Sequence, residues 1–298
     1  MGKRTFIICI LLTILIAYSR VLYPAASVGE NSAGGKEELL IVLDPGHGGA
    51  QSGAVSKDGA TMEKDLNLTI ALKLKEKLET YEGVRVLMTR EDDRDVDLDR
   101  RSEIAEEVQA DLLVSLHNNA FGGNTTYKEG AFVLAAKGQY RKKLAEEEQK
   151  LACNVLYELT QIGLTDQGIL LRESEDGETY PNGKKADYYR IIKAGIKNRR
   201  MQILIEHAYI DSDEDFEKFL SSDEKLEALA QADARGIARY YGLRSKKTGN
   251  KLPELKNYLE KRVLFRKHME PKEGLNLYYP QLDISPVLGN EAEAEKKP

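Results

Sequence analysis

Three ionisable residues of this chain stand at or just beyond the ends of apolar runs typical of buried strands. They are His47, His117 and Glu206, and the runs are residues 39–43, 111–116 and 201–205. A fourth ionisable residue, Glu63, lies in the first turn of a predicted helix, where the helix dipole favours the ionised carboxylate. Taken alone, it is interpreted as an ordinary first-turn acid. The carboxyl ends of parallel strands meet at the edge of an open α/β sheet where ligands bind. We therefore expect these side chains to converge there.

The convergence of two imidazoles and one carboxylate indicates a metal site. This ligand set is common for catalytic zinc, with a fourth position left for water. Zinc lowers the pKa of that water and polarises a carbonyl, and a second carboxylate is then needed to move the proton. The chain has only two cysteines, so thiolates cannot form a metal cluster. Because histidines also cap loops and bond backbone, strand-end placement alone leaves a structural role open.

The elements that must position these residues alternate along the chain. Besides the three apolar runs, strands are predicted at 84–89 and 130–135, and helices at 63–81, 98–109, 137–162 and 214–240, with an interruption near Ser221. Thr61 and Ser212 are candidate N-caps. Residues 163–184 read as a polar, Gly-containing region around a short apolar piece. The pattern predicts an α/β fold, with a central, mostly parallel twisted sheet flanked by helices in a single catalytic domain.

Three segments are predicted along the chain: 1–36, 37–243 and 244–298. The first pairs Lys3 and Arg4 with a short apolar stretch, so we expect a signal peptide or a membrane anchor followed by a linker. Cleavage and retention both stay open, and either places the catalytic domain outside the cytoplasm, secreted or anchored. The third is a partly disordered C-terminal extension. The net charge of −5, without a basic field, argues against nucleic acid as partner.

Several motifs together resemble the zinc-dependent N-acetylmuramoyl-L-alanine amidases of the type-3 family, over residues 39–241. They are DPGHGG, EKDLNL, LDRRSEIA, ADLLVSLHNNA and ILIEHAYID. The resemblance implies that His47, Glu63 and His117 bind Zn²⁺ and that Glu206 is the catalytic general base and then acid. It further implies that the substrate is peptidoglycan, cleaved at the amide between the lactyl group of muramic acid and L-alanine.

Two departures from the family pattern lie beside these residues. Asn118 replaces a usually small residue, and His207 begins a His-Ala-Tyr sequence where a Gly-Phe pair is usual. This variant resembles a subset from spore-forming Firmicutes, which implies a role in spore cortex maturation or germination. Asn118, Asn119 and His207 are candidate substrate-binding residues. In an extended strand His207 faces away from Glu206, which favours a structural role for it.

Two other functions stay open at this point. The domain could be a catalytically weak peptidoglycan-binding or regulatory module, or a zinc peptidase that cuts within the stem peptide. The sequence carries no recognisable wall-binding repeat. Targeting is therefore expected to depend on membrane contact through the N-terminal segment or on an activating protein partner. Arg90 and Arg101 are interpreted as braces for the loop and helix beside the site.

Overall fold

Six strands form one sheet in the computed structural model, which describes residues 38–121 and 129–255. They are β1 (Leu39–Pro45), β2 (Val84–Met88), β3 (Leu112–Asn119), β4 (Ala131–Leu134), β5 (Asp166–Leu170) and β6 (Met201–Tyr209). The order is β2-β1-β3-β6-β4-β5. Neighbours are parallel except for β4, which runs antiparallel to β6. The predicted mostly parallel α/β sheet is confirmed.

Helices cover both faces of this sheet. They are α1 (Glu63–Leu78), α2 (Leu98–Glu107), α3 (Lys142–Gln161), α4 (Arg190–Asn198), α5 (Asp213–Asp215) and α6 (Asp223–Tyr241), with a π-helical turn, Phe216–Leu220, after α5. The largest core cluster joins one sheet face to α1, α3 and α6. The opposite face packs against α2 and α4.

The alternation of side chains along β3 and β6 shows on which face of the sheet His117 and Glu206 lie. In β3, Val114 and Leu116 belong to the large core, whereas Leu113 points to the α2 face. Side chains two residues apart share a face, so His117 lies on the face of Leu113. In β6, Glu206 by the same argument lies on the face of Leu204, which packs with α4. His117 and Glu206 therefore lie on the α2–α4 face, at the carboxyl ends of β3 and β6. Glu63 is the first residue of α1, a helix that packs on the other face of the sheet.

Local features differ from the sequence expectation in identifiable ways. β5 and α4 lie in stretches where no strand or helix was predicted. β5 is only five residues long with three buried, and α4 has a glycine at its centre, so both give weak patterns. Thr61 is not the N-cap of α1: that residue is Met62, without a side-chain bond. Ser212 does cap α5, through its acceptance of the Asp215 N–H.

The outer segments lie mostly outside the described residues. The predicted signal peptide or anchor at 1–36 falls wholly there, as does the C-terminal extension from residue 256 onward. Residues 244–255 are described and form a short turn closed by a bridge between Arg244 and Lys251. Within the described ranges, no helix is both long and apolar enough to cross a bilayer.

Candidate metal centre and active site

Three predicted metal ligands lie together at the edge of the sheet. One ligand atom each from His47, Glu63 and His117 falls within 4.8 Å of the others. His47 Nε2 is 3.1 Å from Glu63 Oε2, and His117 Nδ1 is 2.9 Å from Oε1. Tetrahedral zinc with bonds of about 2.1 Å separates its ligand atoms by about 3.4 Å. The donor types and spacing therefore fit a zinc ion.

Close backbone approach makes room for these side chains. A Cβ on Gly46 would lie 2.2 Å from the His117 ring, and one on Gly53 would lie 2.5 Å from Glu63 Oε2. His47 itself has a φ of 61°, a region that non-glycine residues adopt rarely and mostly under structural constraint. Glycine at positions 46 and 53 thus allows the His117 and Glu63 side chains to pack directly against the backbone around His47.

Glu63 is ionised in this setting. It is the first residue of α1, and its side chain is almost fully buried. Burial alone would raise the pKa of the carboxyl, but hydrogen bonds and attraction from His117 and His47 hold it well below its usual range. The backbone N–H of Ala54 adds a hydrogen bond of 2.9 Å to Oε2. The carboxylate is thus fixed in the charged form that a cation needs.

Two buried arginines hold the loop that carries His47. Arg90 donates to the carbonyls of Pro45 (3.0 Å) and Gly46 (2.9 Å), and also to a carbonyl of α1. Arg101 donates to the carbonyls of Pro45 (2.8 Å) and His47 (2.9 Å). The backbone carbonyl groups of this loop are therefore hydrogen-bonded by buried side chains, which confirms that both arginines act as braces.

Asp44 ties the same loop to the sheet. The residue is 1% exposed, and its carboxylate accepts from Thr89 Oγ1 (2.6 Å), Ser115 Oγ (2.8 Å) and Arg101 Nη1 (2.8 Å). A buried carboxylate with a cation and two hydroxyl donors is compensated for its desolvation. This network fixes the end of β1 three residues before His47.

Glu206 lies on the strand next to His117, in direct register with it. Its Oε2 is buried and has no hydrogen-bond partner among the described residues. Burial, and then repulsion from Glu63, raise the pKa of this carboxyl well above its usual value. This placement, on the strand next to a candidate metal ligand, makes Glu206 a candidate for proton transfer.

The side chain of Asn118 is buried in the protein interior, next to the metal ligands. It is 2% exposed, and its Nδ2 donates to Asn67 Oδ1 at 2.9 Å, while its backbone N–H donates to Glu63 Oε1 at 3.2 Å. Asn67 in turn donates to Glu63 Oε1 and to the Gly46 carbonyl. These contacts support an orienting role for Asn118, and its substrate-binding role stays a prediction.

The other two candidate substrate residues differ from each other. Asn119 is half-buried, and among the described residues its Oδ1 accepts a hydrogen bond from the next backbone N–H, that of Ala120. Its substrate-binding role stays a prediction. His207 is fully buried on the opposite sheet face, between the His117 carbonyl and Asp233 of α6. Since His207 has no exposed surface, these contacts support the structural role that strand alternation favoured and argue against substrate contact.

Two partners of the site were not found from the sequence. Asn67 and Asp233 each occupy a buried position of a mainly apolar helix stripe, in α1 and α6. A polar residue on such a stripe needs a buried partner. That signal is readable in the sequence, but it does not say which residue is the partner.

The geometry defines a class of protein: an α/β metallohydrolase with a His-Glu-His ligand set and a nearby carboxylate. The sequence profile of the family described as N-acetylmuramoyl-L-alanine amidase (Amidase_3) matches residues 41–239. The amidase CwlM of Bacillus licheniformis is 31% identical over 208 residues, which cover 69% of this chain and 70% of that protein. A sporulation-specific amidase of Bacillus subtilis (strain 168) is 28% identical over 209 residues, 69% of each chain.

A solved structure agrees with this assignment. The CwlD amidase from Clostridioides difficile, in complex with the GerS lipoprotein, has a TM-score of 0.56 and 28% identity, covering 68% of this chain and 98% of that one. AmiC of Escherichia coli O6:H1 (strain CFT073) is 40% identical over 116 residues, or 39% of this chain, but the match spans only 28% of AmiC. The chain belongs to the type-3 N-acetylmuramoyl-L-alanine amidases. It is a zinc-dependent hydrolase of peptidoglycan.

Proposed function

We propose that His47, Glu63 and His117 hold the zinc ion and that Glu206 transfers the proton during hydrolysis. The bond cleaved is the amide between the lactyl group of N-acetylmuramic acid and L-alanine. One observation carries the proposal: the three ligand atoms lie within 4.8 Å of one another, and Glu206 is the strand neighbour of His117.

Each residue has a defined task in this reaction. Zinc, when bound, supplies positive charge that polarises the amide carbonyl and makes water more acidic. The free oxygen of Glu206 accepts a proton from the attacking water and then delivers it to the leaving nitrogen of L-alanine. Asn67 and Asn118 keep the Glu63 carboxylate in place. Asn119 stands at the rim as a candidate contact to substrate.

The test is the Glu206→Gln variant assayed on purified muropeptides. Because glutamine cannot take the proton, we expect turnover to fall by about 10²–10⁴-fold, while zinc content stays at the wild-type level. Glu82→Gln, at an exposed position, is the matched control and should keep full activity. Mass spectrometry of the products must show peptides with a free L-alanine amino terminus. Cleavage inside the stem peptide would instead indicate a peptidase, and zinc binding without cleavage would indicate a binding module.

The cellular setting is a second part of the proposal. Peptidoglycan lies outside the cytoplasmic membrane, so the enzyme acts there. Residues 1–36 are proposed to carry it across the membrane as a signal peptide or to anchor it. Fractionation of cells that express the full chain, with mass spectrometry of its N-terminus, distinguishes the two. Full-length protein in the cytoplasmic fraction would contradict both.

Spore cortex maturation is the proposed biological role, supported by the similarity to a sporulation-specific amidase. Removal of the stem peptide precedes muramic lactam formation, so a deletion strain should form cortex with little lactam. Normal lactam content would refute this role.

Because CwlD was solved with the GerS lipoprotein, we further propose an activating protein partner for this chain. Purified enzyme that cleaves intact peptidoglycan at full rate without additions would contradict that dependence.

A further inference from the structure

A buried histidine–aspartate pair lies behind the candidate metal centre. His207 Nε2 is 2.7 Å from Asp233 Oδ2, and His207 Nδ1 is 3.0 Å from the backbone carbonyl of His117. Both side chains are fully buried. The remaining oxygen, Asp233 Oδ1, has no hydrogen-bond partner within the described ranges. Among the described residues, His207 is therefore the sole hydrogen-bond partner of the Asp233 carboxylate. Burial of a carboxylate without such a partner would be strongly unfavourable.

The hydrogen-bond chemistry of the pair has one consistent direction. A carbonyl oxygen can only accept, so Nδ1 of His207 must carry a proton and donate it to His117. The contact at Nε2 then holds a second proton between imidazole and carboxylate. Asp233 thus fixes the ring orientation and the tautomer of His207, in the way a carboxylate orients a histidine elsewhere.

The location of the contact explains why it is needed. β3 and β6 are in register up to His117 and Glu206, but the next pair is Asn119 with Tyr209. β6 therefore contains one extra residue at this point, and such a bulge disrupts the local ladder. The side chain of His207 supplies a donor to the His117 carbonyl at this irregularity. One bond thus links the strand that carries a metal ligand to the strand that carries the general base.

We infer that His207 and Asp233 are positioning residues for this amidase: they hold the strand ends of His117 and Glu206 at a fixed separation across the bulge. They touch neither metal nor substrate. The inference rests on the proposed roles of His117 and Glu206 and adds a part of the chain, α6, to the site. It predicts that disturbing a core helix on the far sheet face weakens zinc binding.

The experiment compares Asp233→Leu with Asp233→Asn in the full chain. Leucine leaves His207 Nε2 without its carboxylate partner, and we expect zinc affinity, measured by chelator competition, to fall by about 10-fold or more. The same variant should lower kcat with KM nearly unchanged. Asparagine can still donate to Nε2 of a neutral His207, so zinc affinity should stay within about twofold of wild type.

A matched control separates positioning from simple stability. Arg239→Met removes another buried charged residue of α6, one that pairs with Glu158 and lies away from the site. It should lower Tm but leave zinc affinity unchanged. If Asp233→Leu lowers Tm to the same extent and also leaves zinc affinity unchanged, the positioning role is refuted. Wild-type protein that binds no zinc would overturn the proposed metal site instead.

An independent readout is taken on the wild-type protein. In ¹⁵N-labelled full-chain protein, two-dimensional spectra of imidazole nitrogens report the tautomer of each ring. We expect a protonated Nδ1 on His207, with a slowly exchanging ring proton, with or without added zinc. The signal is assigned by its loss in His207→Asn. An unprotonated Nδ1, or a ring proton in fast exchange with solvent, would overturn the inference.

Discussion

Arg101→Leu should remove a large part of the protein's stability. The Arg101 guanidinium is 3% exposed and donates to Asp44 and to the carbonyls of Pro45, His47 and Val96, at 2.8–3.0 Å. Leucine leaves the Asp44 charge buried without its cation. Loss of one partner of a buried ion pair costs about 3–5 kcal/mol. Total stabilities of domains are about 5–15 kcal/mol, so the change is readily measured.

Urea unfolding followed by circular dichroism measures this loss. Arg100→Leu is the matched control, because Arg100 is the preceding residue of α2 and its partners Glu103 and Glu107 are exposed. We expect little change in the urea midpoint for that variant. The double variant Asp44→Asn/Arg101→Leu should recover part of the loss, because it removes the buried charge while asparagine keeps an acceptor oxygen for a hydroxyl.

The reasoning also predicts a change at the site. Arg101 holds the His47 carbonyl, so its removal should weaken zinc binding together with stability. A loss of less than about 1 kcal/mol in Arg101→Leu would refute the assignment of a compensated buried pair. Equal effects of Arg100→Leu and Arg101→Leu would refute the importance of burial. Either result would require another explanation for the shape of the His47 loop.

Three further outcomes test the centre itself. Gly46→Ala should abolish zinc binding in a chelator-competition assay, because the new Cβ would meet the His117 ring at 2.2 Å; Gly59→Ala, in open space, should not. Asn67→Leu removes the amide that donates to Glu63, and zinc affinity should fall by about 10-fold, which calorimetry can measure. Chelation of the wild-type enzyme should stop muropeptide hydrolysis and lower Tm, and added zinc should restore both; activity that survives chelation would contradict a zinc enzyme.

The sequence predicted the parts of the fold whose pattern is local. β1, β3 and β6 are apolar runs, and all three were predicted with the ionisable residues at or just beyond their ends. β5 and α4 were not predicted, because a five-residue edge strand and a nine-residue helix give weak local patterns and depend on tertiary packing. The antiparallel direction of β4 is likewise set by the tertiary fold.

The site residues likewise fall into those that a local pattern predicted and those whose contacts are long-range. His47, His117 and Glu206 followed from strand ends, and Glu63 from a helix start combined with the family resemblance. Asn118 and His207 were named as candidate substrate residues, with a structural role already favoured for His207, and both side chains lie in the interior. Their partners lie far away in the chain, and a hydrogen bond between β6 and α6 leaves no trace in the spacing of either.

The neighbouring positions of β1, β3 and β6 in the sheet determine the distances between the strands that carry the active-site residues. Adjacent strands lie about 4.8 Å apart, so the distance between the strand that holds the metal and the strand that holds the base is a property of the sheet. Loops around the rim can change in length or composition without altering it. The reaction and the choice of substrate are thus separable: new peptide preferences can arise by exchange of rim loops, while the chemistry stays fixed in the sheet.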